Sequence, residues 1–203
     1  PLVADPITGA ALNPGQDVDG DGVLTAIPSD SETYDELQPK ISMNYAVNDE
    51  TNIYANAGIG FKSGGFNNSG AAQIISNNLV NGPTLLEGGL VNVNSEVVIA
   101  DNYEKETSTA FEVGVKGTSG DLTYELAGYY TEVEDMQFFE FFVGTFGLLR
   151  VVNNIDEVEI MGLEGSLKYD LNDELALFGS FNYLDSEITS NTARPSTVGN
   201  KSP

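Results

Sequence analysis

Two runs of alternating side chains around a small polar turn, between Thr109 and Met136, constrain this chain more than any other feature. Phe111, Val113 and Val115 alternate with Glu112, Gly114 and Lys116; Leu122, Tyr124, Leu126, Gly128 and Tyr130 alternate with Thr123, Glu125, Ala127, Tyr129 and Thr131. A period of two places successive side chains on opposite faces of a strand, so each run has one apolar and one wet face. Between them Gly117-Thr118-Ser119-Gly120-Asp121 has the composition of a short hairpin loop, in which Gly supplies positive φ. Arms of roughly ten residues exceed the usual strand of about five to six, and match what a tilted strand needs to cross a bilayer.

The same design recurs twice. In Glu36–Phe61, Ile41, Met43, Tyr45 and Val47 share one parity, Asn48 to Thr51 turn, and Ile53, Ala55, Ala57, Ile59 and Phe61 continue it. Later, Met161, Leu163, Gly165, Leu167 and Tyr169 precede a turn at Asn172-Asp173, and Leu175, Leu177, Gly179, Phe181 and Tyr183 follow it. The expected hairpins are 36–61, 103–142 and 158–188, with short turns at one end and long connections at the other. The span 62–102, rich in Asn and Gly, is the longest connection, and loops of that length are usually functional or disordered. Past the central turn, Met136 to Phe142 form an aromatic run that ends in Gly144-Thr145-Phe146-Gly147, before the third hairpin.

Composition narrows the function. The 203 residues carry 31 acids against 8 bases, a net charge of −23, with no Cys, His or Trp. Without Cys or His there is no disulfide framework, no Ser-His-Asp or Cys-His catalysis and no ordinary zinc site, and no enzymatic activity is expected. The acidity opposes nucleic acid as a partner, because phosphate binding needs Lys and Arg. No stretch approaches the roughly 18 apolar residues of a membrane helix. A transmembrane barrel escapes that test, since lipid-facing and lumen-facing residues average out, and mean hydropathy here is −0.14.

Aromatic placement favours the barrel. On the apolar parity Tyr45, Tyr124 and Tyr169 lie near the short turns, while Phe61, Tyr130, Phe181 and Tyr183 lie near the other ends. Tyr124 to Tyr130 would span about 20 Å at roughly 3.3 Å per residue, close to the ~25 Å band that two aromatic girdles bracket. Tyr54 falls on the wrong parity. The competing fold is a sandwich whose core aromatics happen to lie at strand ends.

Residues 1–33, rich in Pro, Gly and Asp and without periodicity, read as an acidic loop. Within it Asp17, Asp19 and Asp21 alternate around Gly20, and the carbonyl of Val23 would complete the first half of a Ca2+ loop. Pro28 stands where a bidentate Glu belongs, so Asp30 or Glu32 would have to close the site; the plain alternative is an acidic loop without an ion.

These motifs resemble the C-terminal barrel region of TonB-dependent outer-membrane receptors. The resemblance rests on Leu37 to Ser42, Asn52 to Ala55, Gly60 to Asn67, Tyr103 to Ser108, Gly128 to Gln137, Gly162 to Gly165 and Gly199 to Lys201. It implies an all-β, antiparallel up-and-down barrel of roughly twenty-two strands with a plugged lumen, of which this chain would hold about six strands, with plug and remaining strands supplied elsewhere. It further implies integral residence in the bacterial outer membrane, contact with its lipid, coupling to TonB, and uptake of a ferric siderophore, cobalamin or carbohydrate. Lys62, Ser63, Phe66, Asn67, Phe138, Phe141 and Arg150 are then the expected ligand-contacting residues. Each has a structural alternative: turning a strand, extending the girdle or packing loops. An anionic ferric chelate would call for more Arg than Arg150 offers. The other functions weighed are a passive porin and a secreted Ca2+-binding β-domain in adhesion.

Overall fold

The computed structural model describes residues 31–67, 71, 99–144 and 147–202. The alternating runs form one antiparallel sheet of six strands in the order β1-β2-β5-β6-β7-β8. These are β1 (Lys40–Ala46), β2 (Thr51–Lys62), β5 (Glu106–Ser119), β6 (Leu122–Gly144), β7 (Gly147–Asn172) and β8 (Leu175–Ser190). Two residues each of β3 (Gly65–Phe66) and β4 (Asn102–Tyr103) pair separately.

The hairpin turns are local chemistry. Ser119 pairs with Leu122, which leaves Gly120 and Asp121 as a two-residue turn, and Gly120 takes φ +60. Gly at the first central position with positive φ matches the strand twist. At the next turn on this end, the Asn172 Oδ1 accepts the amides of Glu174 and Leu175 at 2.9 and 3.0 Å, an Asx turn in which the side chain stands in for backbone.

Register puts all six apolar stripes on one face. Ile41 pairs Ala57, Ala57 pairs Phe111, Phe111 pairs Tyr130, Tyr130 pairs Met161, and one step down Leu163 pairs Tyr183. No layer of described residues covers this face: Ile41, Met43, Phe111, Val113, Leu163, Leu167, Phe181 and Tyr183 are all exposed. A soluble sandwich would bury such a stripe. Past Tyr130 the same parity turns acidic, and Glu132, Glu159 and Glu187 stand directly opposite one another. Like charges opposed across strands repel, so this row belongs in water beyond the apolar band.

The opposite face is polar, and it resolves the misfit of Tyr54. Its ring lies against Gly114, the residue opposite it on β5, where an added Cβ would come within 2.4 Å of the ring. Tyr129 lies likewise on Gly162, and on the apolar face Phe181 lies on Gly165. A large ring laid over a strand glycine restores the contacts that the missing side chain forfeits. The Tyr54 hydroxyl donates to Glu125 at 3.4 Å, Asn56 Nδ2 donates to Glu112 at 3.3 Å, and the Lys116 Nζ sits 5.6 Å from the Tyr54 ring centroid.

Beyond the sheet the structure extends the expected hairpins. The aromatic run from Met136 is strand, and so is most of the interval 143–157 left between the second and third hairpins: β6 and β7 continue as a two-stranded ribbon, with Met136 to Gly144 paired to Gly147 to Ile155. The connection at this end is thus largely a paired ribbon. Alternation breaks once, at Asp135 and Asp156, which interrupt an otherwise continuous ladder between Glu134↔Glu157 and Met136↔Ile155. Asp135 takes φ 53, a left-handed conformation that Asp tolerates better than most residues. On either side Val133 and Met136, and likewise Val158 and Ile155, share one apolar cluster with Ile188 although each pair is three residues apart. A period of two forbids that without a slip. Both strands therefore change faces here, and Phe138, Glu140 and Phe142 turn to the polar side of the sheet.

Candidate functional site

The site is a crossing of three segments over the polar side of this ribbon. Residues 63–67 and 99–105, the two ends of the long connection, run from β2 and β5 across β6 to the far edge of β7. That edge is open because β8 pairs with β7 only up to Glu157↔Ser190.

Carboxamides hold the crossing where strands would otherwise pair. Asn67 Nδ2 donates to the Val152 carbonyl at 2.9 Å and its Oδ1 accepts the Val152 amide at 2.7 Å. Gln137 Nε2 donates to the carbonyls of Ser63 and Glu104 at 2.9 and 3.0 Å. Asn154 Oδ1 accepts the Glu104 amide at 2.9 Å, while its Nδ2 donates to the carbonyls of Glu104 and Asp135. Each contact satisfies backbone groups that would be costly to leave unpaired under cover. Beneath the crossing Val151 is fully buried with Ala71, against Ile99, Phe142 and Leu149.

The third segment is the tail after β8. Gly199 and Asn200 return to Ile188, whose carbonyl accepts the Gly199 amide and whose amide donates to Asn200, both at 2.9 Å. Lys201 pairs with Asp185. Between these points the tail carries Arg194 to Glu140: Nη1 and Nη2 lie 2.5 and 2.6 Å from the two carboxylate oxygens, and Asn153 also donates to Glu140. Two parallel N–H···O contacts make this a geometrically specific pair. The guanidinium stands 6.0 Å from the Phe138 ring centroid. Asn191 is buried and joins Thr197 and the Arg194 amide, fixing the tail's shape. A cavity of about 200 Å³ remains between the three segments, lined by Asn102, Glu104, Phe138, Asn153, Asn154 and Arg194 among others.

Charge at the crossing is predominantly negative. Burial, and then Asp156, Glu104 and Glu134, hold the Asp135 carboxyl above the ordinary carboxylate range. Asp156 is itself engaged, accepting the Thr192 amide and hydroxyl. Lys105 hydrogen-bonds Glu36 and lowers its pKa.

The expected contact residues divide. Lys62 is paired with Glu106 at 3.8 Å, the Ser63 carbonyl takes Gln137, and Asn67 is bound to β7. Phe66 is partly exposed on the crossing segment, and Phe138 lines the cavity. Phe141 and Arg150 are cross-strand partners on the other side of the ribbon, Phe141 exposed and Arg150 4.5 Å from the Phe139 ring centroid. The structure therefore gathers Phe138 with the crossing and leaves Phe141 and Arg150 apart from it. Glu140 lies in the expected span from Phe138 to Arg150, whereas Gln137, Asn153, Asn154 and Arg194 were not expected here. The Asn153-Asn154 doublet, set in an apolar run, was the available signal; nothing local links Arg194 to Glu140.

Asp17, Asp19, Asp21 and Val23, with Asp30, lie outside the described residues. Among the described residues no group of three or more acids is arranged to hold a metal ion.

A depression of about 620 Å³ on the sheet takes in Ile41, Met43, Ala55, Ala57, Phe111 and Val113. It opens on the apolar stripe, away from the crossing.

Comparison with known proteins agrees with this geometry. The family "TonB dependent receptor-like, beta-barrel" matches residues 12–203. Among solved structures the chain is similar to "Copper transporter OprC", with TM-score 0.51, 22% identity, and coverage of 74% of this chain and 20% of that one. The ferric yersiniabactin uptake receptor FyuA from Yersinia pestis matches with TM-score 0.49, 21% identity, and 74% and 18% coverage. The siderophore receptor PirA from Pseudomonas aeruginosa matches with TM-score 0.49, 14% identity, and 75% and 25% coverage. The chain spans a quarter or less of each of these, and at such identity the likeness to OprC speaks for the fold. No curated protein matches. With a six-stranded partial barrel sheet and a family match over nearly its whole length, this chain belongs to the TonB-dependent receptors, in their β-barrel.

Proposed function

We propose that this chain is one arc of the wall of an outer-membrane receptor that takes up a scarce nutrient using energy passed from the inner membrane through TonB. The cargo would be a ferric siderophore or a similar small molecule such as cobalamin or a carbohydrate. The supporting observation is the facing: six register-locked stripes are apolar on the side that no layer of described residues covers, and the other side carries Glu112, Lys116, Glu125, Glu164 and Lys168. Lipid would wet the first face. Water and a plug would meet the second.

Open edges at β1 and β8 are intolerable in hydrocarbon, because each unpaired amide costs several kcal/mol there. Further strands of the same barrel would close them. In this arrangement residues 1–33 would be an extracellular acidic loop, and the β6–β7 ribbon would lie on the outer side with residues 63–67 and 99–105 crossing it. A Ca2+ ion in the 17–23 loop is an accessory proposal, checked by calorimetric titration of the whole receptor; no heat of Ca2+ binding would dismiss it.

The test is cellular. The full-length gene product should fractionate with outer membranes, resist extraction except by detergent, and lose uptake when the inner-membrane proton gradient is collapsed. Recovery as a water-soluble monomer would end the proposal, and uptake indifferent to the gradient would make the pore passive.

A further inference from the structure

We infer that the cavity at the crossing is a subsite for an uncharged, hydroxyl-bearing portion of the cargo, of the kind a saccharide ring presents, and that it turns anions away. This rests on the receptor reading above and deepens it. The cavity's size sets the first limit: at about 200 Å³ it is smaller than the ~300–1,000 Å³ of a complete ligand pocket. It holds part of a molecule.

Its charge sets the second. An anion clamp needs an available guanidinium or ammonium, and the cations near this cavity are already engaged. Arg194 is spent on both oxygens of Glu140, Lys62 faces Glu106, and Lys105 holds Glu36. Arg150 lies on the other side of the ribbon over Phe139. Opposing them, Glu104 lines the cavity as an exposed residue whose carboxylate accepts no hydrogen bond among the described residues, while its backbone is fixed at both ends by Asn154. Asn153 commits its amide to Glu140 and keeps its carbonyl oxygen. Asn102 adds a carboxamide, and Phe138 adds aromatic surface.

The open groups are thus a carboxylate and carboxamide oxygens, which accept, together with the Asn102 N–H donors. They match a ligand that donates from O–H, with carbon surface to lay on Phe138. A carboxylate or phosphate would meet Glu104 with no counter-ion to offset it. The Arg194–Glu140 pair shapes the wall without adding net charge, which keeps the subsite polar but uncharged on that side.

The Glu104→Gln substitution tests this by sign. The full-length receptor in detergent is presented to an array of neutral saccharides and, separately, to ferric citrate as the anionic probe. Binding to a neutral saccharide is expected, weakened about five- to tenfold by Glu104→Gln as a charge-assisted hydrogen bond becomes a neutral one, weakened again by Asn102→Leu, and nearly unchanged between 50 and 500 mM salt. Four outcomes would overturn it: silence across the neutral array, saccharide binding untouched by both substitutions, saccharide binding steeply dependent on salt, or ferric citrate binding by the wild-type receptor that Glu104→Gln leaves unchanged. Heat-modifiable migration of each variant confirms that the barrel has formed. A receptor that resides in the outer membrane and binds only the anion defeats this inference alone, whereas absence from the outer membrane defeats the reading beneath it.

Discussion

Asn67 binds Val152 as a neighbouring strand would: its carboxamide gives one hydrogen bond to the Val152 carbonyl and takes one from the Val152 amide, at 2.9 and 2.7 Å, across 85 residues of sequence. One side chain thereby pairs the β7 edge at the level where β8 has ended, and ties the start of the long connection to the ribbon.

Replacing that side chain should release the crossing. Asn67→Asp keeps the size but removes both N–H donors and sets a carboxylate beside the Val152 carbonyl. A local loss of about 1–3 kcal/mol is expected for the carbonyl left without a partner. It should be seen as faster hydrogen exchange at residues 99–106 and at Val152, with the amides of β5 and β6 below Asp135 unchanged. Exchange rates equal to wild type at 99–106 would show that the crossing does not depend on this contact.

Facing in the bilayer predicts an asymmetry between neighbours. Leu126 points to the uncovered face between Tyr124 and Tyr130, and Glu125 points the other way, under the Tyr54 hydroxyl. Leu126→Arg should cost roughly 2–4 kcal/mol in folding into lipid. Glu125→Arg loses one long hydrogen bond, about 1 kcal/mol or less. Refolding of the complete barrel into liposomes, followed by heat-modifiable migration, gives the comparison, and equal losses would contradict the facing.

Glycines under rings should not tolerate a methyl group. A Cβ at Gly162 would fall 2.3 Å from the Tyr129 ring and 2.7 Å from the Tyr183 carbonyl. Gly162→Ala is expected to cost about 1–3 kcal/mol by overpacking. Because the nearer clash is with a side chain, the double change with Tyr129→Ala should recover part of that loss, a coupling that a double-mutant cycle measures. Strict additivity would mean that the ring is free to move aside.

The face change at Asp135 carries a pH dependence. Its carboxyl titrates above the ordinary range because burial, and then Asp156, Glu104 and Glu134, disfavour the charged form. A carboxyl whose pKa is raised on folding binds its proton more readily in the folded state. Folded stability at this site therefore increases as pH falls from that raised value into the ordinary carboxylate range, and decreases as pH rises back up to it, with no further change above. Asp135→Asn removes the charge and keeps a residue that accepts the φ of 53. At neutral pH it should slow hydrogen exchange of the Met136–Gly144 amides relative to wild type, with the difference closing as the wild-type carboxyl protonates. A difference independent of pH would assign the effect to backbone preference instead of charge.

The sequence by itself determined the strands and their two faces, because in an extended chain the side a residue takes is a local property of period two. Alternation from Phe111 to Tyr130 and from Met161 to Tyr183 is enough to place every one of those side chains, and the turns at Gly120 and Asn172 carry their own chemistry. It also located the family, through short motifs spread along nearly the whole chain. What only the tertiary structure decided is the site. The interval 143–157 between the expected hairpins is largely ribbon because β6 and β7 go on pairing beyond Met136 and Ile155, and the ribbon's inner side is set by a single slip at Asp135 and Asp156 that no periodicity announces. Arg194 reaches Glu140 from 54 residues away, and Asn67 reaches Val152 from 85. Such contacts depend on where separate segments cross in space, and alternation within any one segment carries no record of that.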